Sequence, residues 1–100
     1  MRAGTTTRTV IEAGSRLDAA RSFGLREEAE AIFAADENPI VNVRSVEHID
    51  MAGLSALAWI LVRCRRRDEA AYLLGPLPEP VARFLDLTTF DRFFQIRLIP

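Results

Sequence analysis

The residue types that could carry chemistry gather around Asp50. It follows Val41-Asn42-Val43-Arg44-Ser45-Val46-Glu47-His48-Ile49 and precedes Met51-Ala52-Gly53-Leu54-Ser55-Ala56-Leu57. An apolar strand candidate thus runs through a short polar connection into an acidic residue that opens an amphipathic helix. The first four N–H groups of a helix lack intrahelical partners and carry the positive end of its dipole, which favours a carboxylate or a phosphate there. Two compatible readings of Asp50 follow: a cap on those N–H groups, worth about 1 kcal/mol, and a contact for a partner. Phosphoryl acceptance of the receiver-domain kind would need an acidic pair near the end of the first strand and a lysine. All 13 basic residues here are Arg.

Other candidates surround it. Ala52, Ser55, Ala56, Trp59 and Arg63 or Arg66 recur at the spacing opposite a Leu54, Leu57, Leu61 stripe, which puts a Trp on the outer face of the helix. That Trp is either an interface anchor, since Trp is enriched among binding hot spots, or is packed under a neighbouring helix. Arg63, Arg65, Arg66 and Arg67 end the helix where cations suit the dipole, and a solvated, capped terminus is the default for them. His48 has no ligand set beside it, and Cys64 is the single cysteine, so neither a disulfide nor a cysteine metal cluster is available. No metal and no cofactor are expected. The five glycines are scattered, and no Walker loop or Ser-His-Asp or Cys-His arrangement is present. The chain reads as a non-enzyme.

The elements that must position these residues follow from periodicity. Arg8 to Ala13 is a short β-rich run ended by Gly14 and Ser15. Leu25, Ala29, Ile32 and Phe33 lie on one face of a helix from Ser22, its N-cap, to about Asp36. Asp36-Glu37-Asn38-Pro39 breaks it, and Ile40 to Val43 reads as a strand buried on both faces. The helix after Asp50 buries Leu54, Leu57, Ala58, Leu61 and Cys64 or Arg65. Ala70 to Leu74 is a third strand, Pro78 to Leu87 a third helix with Val81, Phe84 and Leu85 on one stripe, and Gln95 to Ile99 a candidate edge strand. The order β-α-β-α-β-α predicts an α/β fold with helices on a mostly parallel or mixed sheet of about four strands. Residues 1–8 are expected to be a flexible N-terminus and 9–100 a single domain.

At 100 residues the chain can bury roughly 60–65 % of its unfolded surface. A net charge of −1 supplies no field to gather phosphate backbones, which argues against a nucleic-acid binder. No apolar run approaches the ~20 residues of a membrane span, and residues 1–8 lack the apolar stretch of a secretory signal. A cytoplasmic location without membrane insertion is expected.

Three segments resemble the STAS family, the sulfate-transporter and anti-sigma-factor-antagonist domain. Gly14-Ser15-Arg16-Leu17-Asp18 is similar to the family's Gly-x-Leu-Asp turn, with Ser15 in the Gly position. Val41-Asn42-Val43 through Ile49-Asp50-Met51-Ala52-Gly53-Leu54 resembles the strand and Asp-Ser-Ser-Gly-Leu loop with which family members meet partners. Leu73-Leu74-Gly75 and Phe84-Leu85-Asp86-Leu87-Thr88 through Phe90-Asp91-Arg92-Phe93-Phe94 resemble its third strand and its Leu-Glu-Leu-Thr-Gly-Leu-x-x-x-Phe ending.

The resemblance implies a bacterial regulator of transcription that binds an anti-sigma kinase-like partner through Asp50, Met51, Ala52, Gly53, Ser55, Ala56 and Trp59, with Asp18 in the family turn. A subunit that binds the ATPase of a phospholipid-transport ABC system is the alternative, and a nucleotide sensor a third. The family's phosphoacceptor Ser is replaced by Ala52 and the Ser before it by Met51, so phosphorylation at that position is chemically impossible. Ser55, one helical turn on, is the candidate relocated phosphosite. Asn42 and Arg44 stand where the family often has Asp and Ser, and Thr89 replaces the usual Gly. The family's first strand is short or missing, which leaves an exposed sheet edge through which a homodimer could form.

Overall fold

The computed structural model describes residues 7–68, 72–88 and 97–99. Strand β1 spans Arg8–Glu12, where Thr9, Val10 and Ile11 supply the β-branched side chains that suit a pleated surface. Gly14, at φ 81°, turns the chain out of the sheet in a conformation that disfavours any residue with a Cβ. A two-residue strand β2, Arg16–Leu17, leads into helix α1, Ala19–Ala34.

The cap of α1 differs from the sequence expectation. Asp18, not Ser22, is the N-cap: its carboxylate accepts from the Arg21 N–H at 3.1 Å. Ser22 lies inside the first turn, buried, with its hydroxyl donating to the Asp18 carbonyl at 2.5 Å. Apolar periodicity becomes visible only at Leu25, but Ala19 and Ala20 are strong helix formers and carry the helix back to the nearest acceptor. At the other end Asp36 takes φ 61° and the Glu37 N–H donates to the Ile32 carbonyl at 3.0 Å, which closes the helix in a Schellman motif with Asp where Gly is usual.

Strand β3, Asn38–Asn42, is buried from Asn38 to Val41. A second two-residue strand, β4 at His48–Ile49, precedes helix α2 at Met51–Arg66. Then come β5 at Tyr72–Leu74, α3 at Glu79–Thr88 and β6 at Arg97–Ile99. The main sheet has the order β1-β3-β5-β6 and every pairing in it is parallel. A separate parallel ladder joins β2 to β4; two-residue strands carry no periodicity, so the residue pattern does not show them.

Register decides which face is core. Ile11 pairs with Val41 and Val41 with Leu73, and all three are buried. With Ala13 and Val43 they join Leu25, Ala29 and Phe33 of α1, Leu57, Ile60, Leu61 and Cys64 of α2, and Val81 and Leu85 of α3 in one cluster. On the other face Val10 is 48% exposed and the Arg8 guanidinium lies 4.2 Å from the centroid of the Tyr72 ring.

Expectations at the chain ends meet the structure only in part. Arg8, placed in the flexible segment, pairs with Asn38, and the Thr7 carbonyl accepts from the Asn38 N–H at 3.1 Å. Residues 1–6, Ala70, Ala71, Thr89, Phe90, Phe93, Phe94, Gln95 and Ile96 lie outside the described residues.

Candidate functional site

Two equivalent loops meet at the carboxyl ends of β1 and β3. Each descends from a main-sheet strand, passes through a two-residue strand, and enters a helix of 16 residues through an aspartate. Because Arg16 pairs with His48 and Leu17 with Ile49, Asp18 and Asp50 follow directly on paired residues and the N-termini of α1 and α2 sit side by side. The Asp50 carboxylate accepts from the Gly53 N–H at 3.0 Å, and the Asp50 N–H donates to the Leu17 carbonyl at 3.4 Å. Asp50 is therefore the cap of α2, with its side chain opposing the positive end of the helix dipole.

Gly53 is required by proximity rather than by backbone freedom. A Cβ there would collide with the Leu17 carbonyl oxygen and stand 2.8 Å from Leu17 Cγ and 3.1 Å from Ile49 Cγ1. The first turn of α2 thus rests directly on the β2–β4 ladder. At the sheet end of the loop, the Asn42 side-chain amide donates to Glu12 at 2.9 Å and its carbonyl accepts from the Arg44 N–H at 3.1 Å. The Arg44 guanidinium reaches the Gly75 carbonyl. Asn42 and Arg44, singled out only as departures from the family pattern, here tie β1, β3 and the turn after β5 together.

Residues 2–99 match the model of the STAS domain. The chain belongs to the STAS domain family. Two solved structures share its fold. The NMR structure of the protein TM1081 matches with a TM-score of 0.75 at 20% identity, over 92% of this chain and 74% of that one. The structure of the anti-sigma factor antagonist SpoIIAA in its unphosphorylated form matches with a TM-score of 0.67 at 19% identity, over 99% of this chain and 84% of that one.

In this STAS domain α2 presents its residues differently from the expected wheel. Met51 is 67% exposed and Ser55 is exposed, while Ala52 is partly buried. Ala56, expected on the outer face, is fully buried, so it cannot meet a partner. Ala58, expected inside, is only partly buried. The core wedge includes Gly53, Ala56 and Ile60 because α2 packs against both the β2–β4 ladder and α1, which rotates the buried arc beyond the leucine stripe. The outward stripe is Met51, Ser55, Ala58 and Val62, ending at the exposed Arg65 and Arg66. The spacing i, i+4, i+7, i+11 from Met51 was the signal for Ala58 and Val62.

Trp59 takes the packed alternative. It lies partly buried against the core, its ring 6.3 Å from that of Phe33 in an edge-to-face arrangement at 76°. The Arg63 guanidinium stands 5.0 Å from the Trp59 centroid and 4.8 Å from that of Phe33, and it also pairs with Glu30 at 2.7 Å. Arg67 donates to the Phe33 carbonyl at 3.1 Å and to Asp36 at 2.8 Å. Arg63 and Arg67 therefore fasten α2 to α1 instead of forming a solvated terminus; aromatic faces and an open helix end attract guanidinium groups more than water alone retains them.

Cys64 is buried and His48 exposed. Among the described residues no three His, Cys, Asp or Glu side chains cluster as a metal site, and no helix is long and apolar enough to cross a membrane. A groove of about 500 Å³ along α3 is lined by Leu77, Glu79, Ala82, Arg83, Leu85 and Asp86. None of the expected site residues lines it.

Proposed function

We propose that this STAS domain is a non-enzymatic protein-binding module of the bacterial cytoplasm, an anti-sigma-factor-antagonist-like regulator of transcription that docks a kinase-like anti-sigma partner. The docking surface is the Asp50 loop with the outward face of α2: Met51, Ala52, Ser55, Ala58 and Val62. The observation that carries this reading is Met51, a large apolar side chain 67% exposed on the first turn of α2, in the loop that the family resemblance assigns to partner contact. A flexible, polarizable Met on a small-residue helix face suits a protein interface. Gly53 and Ala56 act beneath this surface and Trp59 beside it, as its support.

Ala52 has no hydroxyl, so binding through this loop is not switched off by phosphate at that position. Ser55 is the hydroxyl nearest to it along the same outer face, and it is exposed. A phosphate there would change docking by adding negative charge at the interface.

The test is calorimetric titration of the purified chain with an anti-sigma kinase-like protein from the same cell, with and without ATP. Met51→Glu is expected to weaken binding by at least about tenfold while leaving the melting curve unchanged, because an exposed side chain contributes to contact and not to the core. Unaltered affinity in Met51→Glu would remove the surface from consideration. Phosphate recovered on Ser55 after incubation with ATP would identify the relocated switch.

A further inference from the structure

The second surface that stands out is the outer edge of β1. Among the described residues no strand pairs with it: the main sheet ends there. The Thr7 carbonyl and the Ala13 N–H both bond to β3. In a parallel strand the N–H and C=O of one residue point the same way and alternate residue by residue. The backbone groups of Thr9 and Ile11 therefore face β3, and those of Arg8, Val10 and Glu12 face outward.

The sequence of this edge is self-complementary. Arg8-Thr9-Val10-Ile11-Glu12 carries a cation at one end, an anion at the other and a 48% exposed Val between them. Two copies related by a two-fold axis through Val10 would pair antiparallel, with Val10 opposite Val10 of the second copy and Arg8 opposite Glu12 of the second copy, twice. All three outward residues then fall on hydrogen-bonded positions of the ladder, and the charged side chains lie on the same face as Val10. A parallel alignment would instead set Arg against Arg and Glu against Glu.

We propose that this edge is a homodimer interface, in which β1 of two chains joins their sheets into one continuous eight-stranded sheet. The occupant is a second copy because the charge pattern matches its own reverse, and an isologous contact needs that property. The interface is small, one short strand from each side, so the association is weak and depends on concentration and salt. Arg21 tunes it. Its guanidinium donates to the outward Glu12 carbonyl, with the Nε contact at 3.2 Å, and so occupies one acceptor position at the end of the edge. Both N–H groups converge on that one oxygen, so the dimer ladder rests on the Val10 pair and on the Glu12 N–H donating to the Arg8 carbonyl of the second copy.

The measurement is sedimentation equilibrium of the full chain over a range from about ten micromolar to about one millimolar. Wild type is expected to pass from the mass of one chain toward that of two. Arg8→Glu places like charges opposite each other at both ends and is expected to raise the dissociation constant by about tenfold or more. The double substitution Arg8→Glu with Glu12→Arg restores the complementarity and is expected to restore the dimer. Val10→Pro removes an outward N–H without touching the ladder to β3 and is expected to leave a monomer with an intact circular dichroism spectrum.

A wild type that stays monomeric up to one millimolar overturns the proposal, whether the edge is covered by the chain's own N-terminal residues or is merely solvated. A dimer that ignores Arg8→Glu and Val10→Pro overturns it as well, since the contact then lies on another face. Binding of the kinase-like partner is read separately with Met51→Glu, so the two proposals fail independently.

Discussion

The Leu17 carbonyl and the Cα of Gly53 meet with no room for a side chain between them. Leu17 belongs to the loop before α1 and Gly53 to the first turn of α2, and a Cβ on Gly53 would stand 2.8 Å from Leu17 Cγ besides colliding with the carbonyl oxygen. This contact fixes how deeply α2 seats on the β2–β4 ladder, and hence how far Asp50 and Met51 project.

Gly53→Ala is therefore expected to destabilise the fold by about 2 kcal/mol or more, because the obstacle is backbone and cannot swing aside. Ala usually stabilises a helix interior relative to Gly by roughly 1 kcal/mol, so the sign alone separates the two effects. A urea unfolding midpoint shifted upward would contradict the contact.

Asp18 and Asp50 perform the same capping task on adjacent helices. Each Asp→Ala substitution is expected to cost about 1 kcal/mol, and each Asp→Asn much less, since Asn caps as well. Urea titration of the four variants checks this. The partner-binding proposal adds a difference between the two sites: Asp50→Asn, stable as it is, should alter the affinity for the partner, whereas Asp18→Asn should alter it less.

Trp59→Ala removes an aromatic side chain that Phe33 and Arg63 hold in place. A loss of roughly 2–4 kcal/mol is expected. Trp59→Phe should recover most of it. The Trp is single in the chain, so its intrinsic fluorescence reports the α1–α2 contact directly, and Phe33→Leu is expected to shift that emission toward longer wavelength as water reaches the ring.

Asn38 is fully buried at the start of β3, and among the described residues neither polar atom of its side chain meets a hydrogen-bond partner. Burying an unpaired amide is costly, by about 1–3 kcal/mol. Asn38→Leu, close in shape and apolar, is expected to raise the melting temperature by several degrees, as roughly 1 kcal/mol does in a domain of this size. A lowered melting temperature would mean that the amide is satisfied after all.

The primary sequence by itself determined the layout. Alternating β-branched runs, helical stripes and breakers such as Gly14 and Asp36-Glu37 are local signals, and they order the main strands and the helices and bring the STAS likeness into view, although β3 starts already at Asn38, inside the stretch that reads as a breaker. Asp50 as a cap was equally legible, because an acid just before a helical stripe acts within one turn.

Tertiary structure alone decided the rest. The β2–β4 ladder consists of residues too few for a period, and only the packing of two loops against each other creates it. Ala56 and Trp59 both leave the outer face of α2 for the same kind of reason. An apolar wheel marks one buried arc, but α2 touches both α1 and the ladder, and the two contacts together turn Ala56 inward and bring Trp59 onto Phe33 of α1. Which side chains of α2 remain for a partner thus depends on the backbone approach of Leu17 to Gly53, a distance that no residue pattern along one strand or helix encodes.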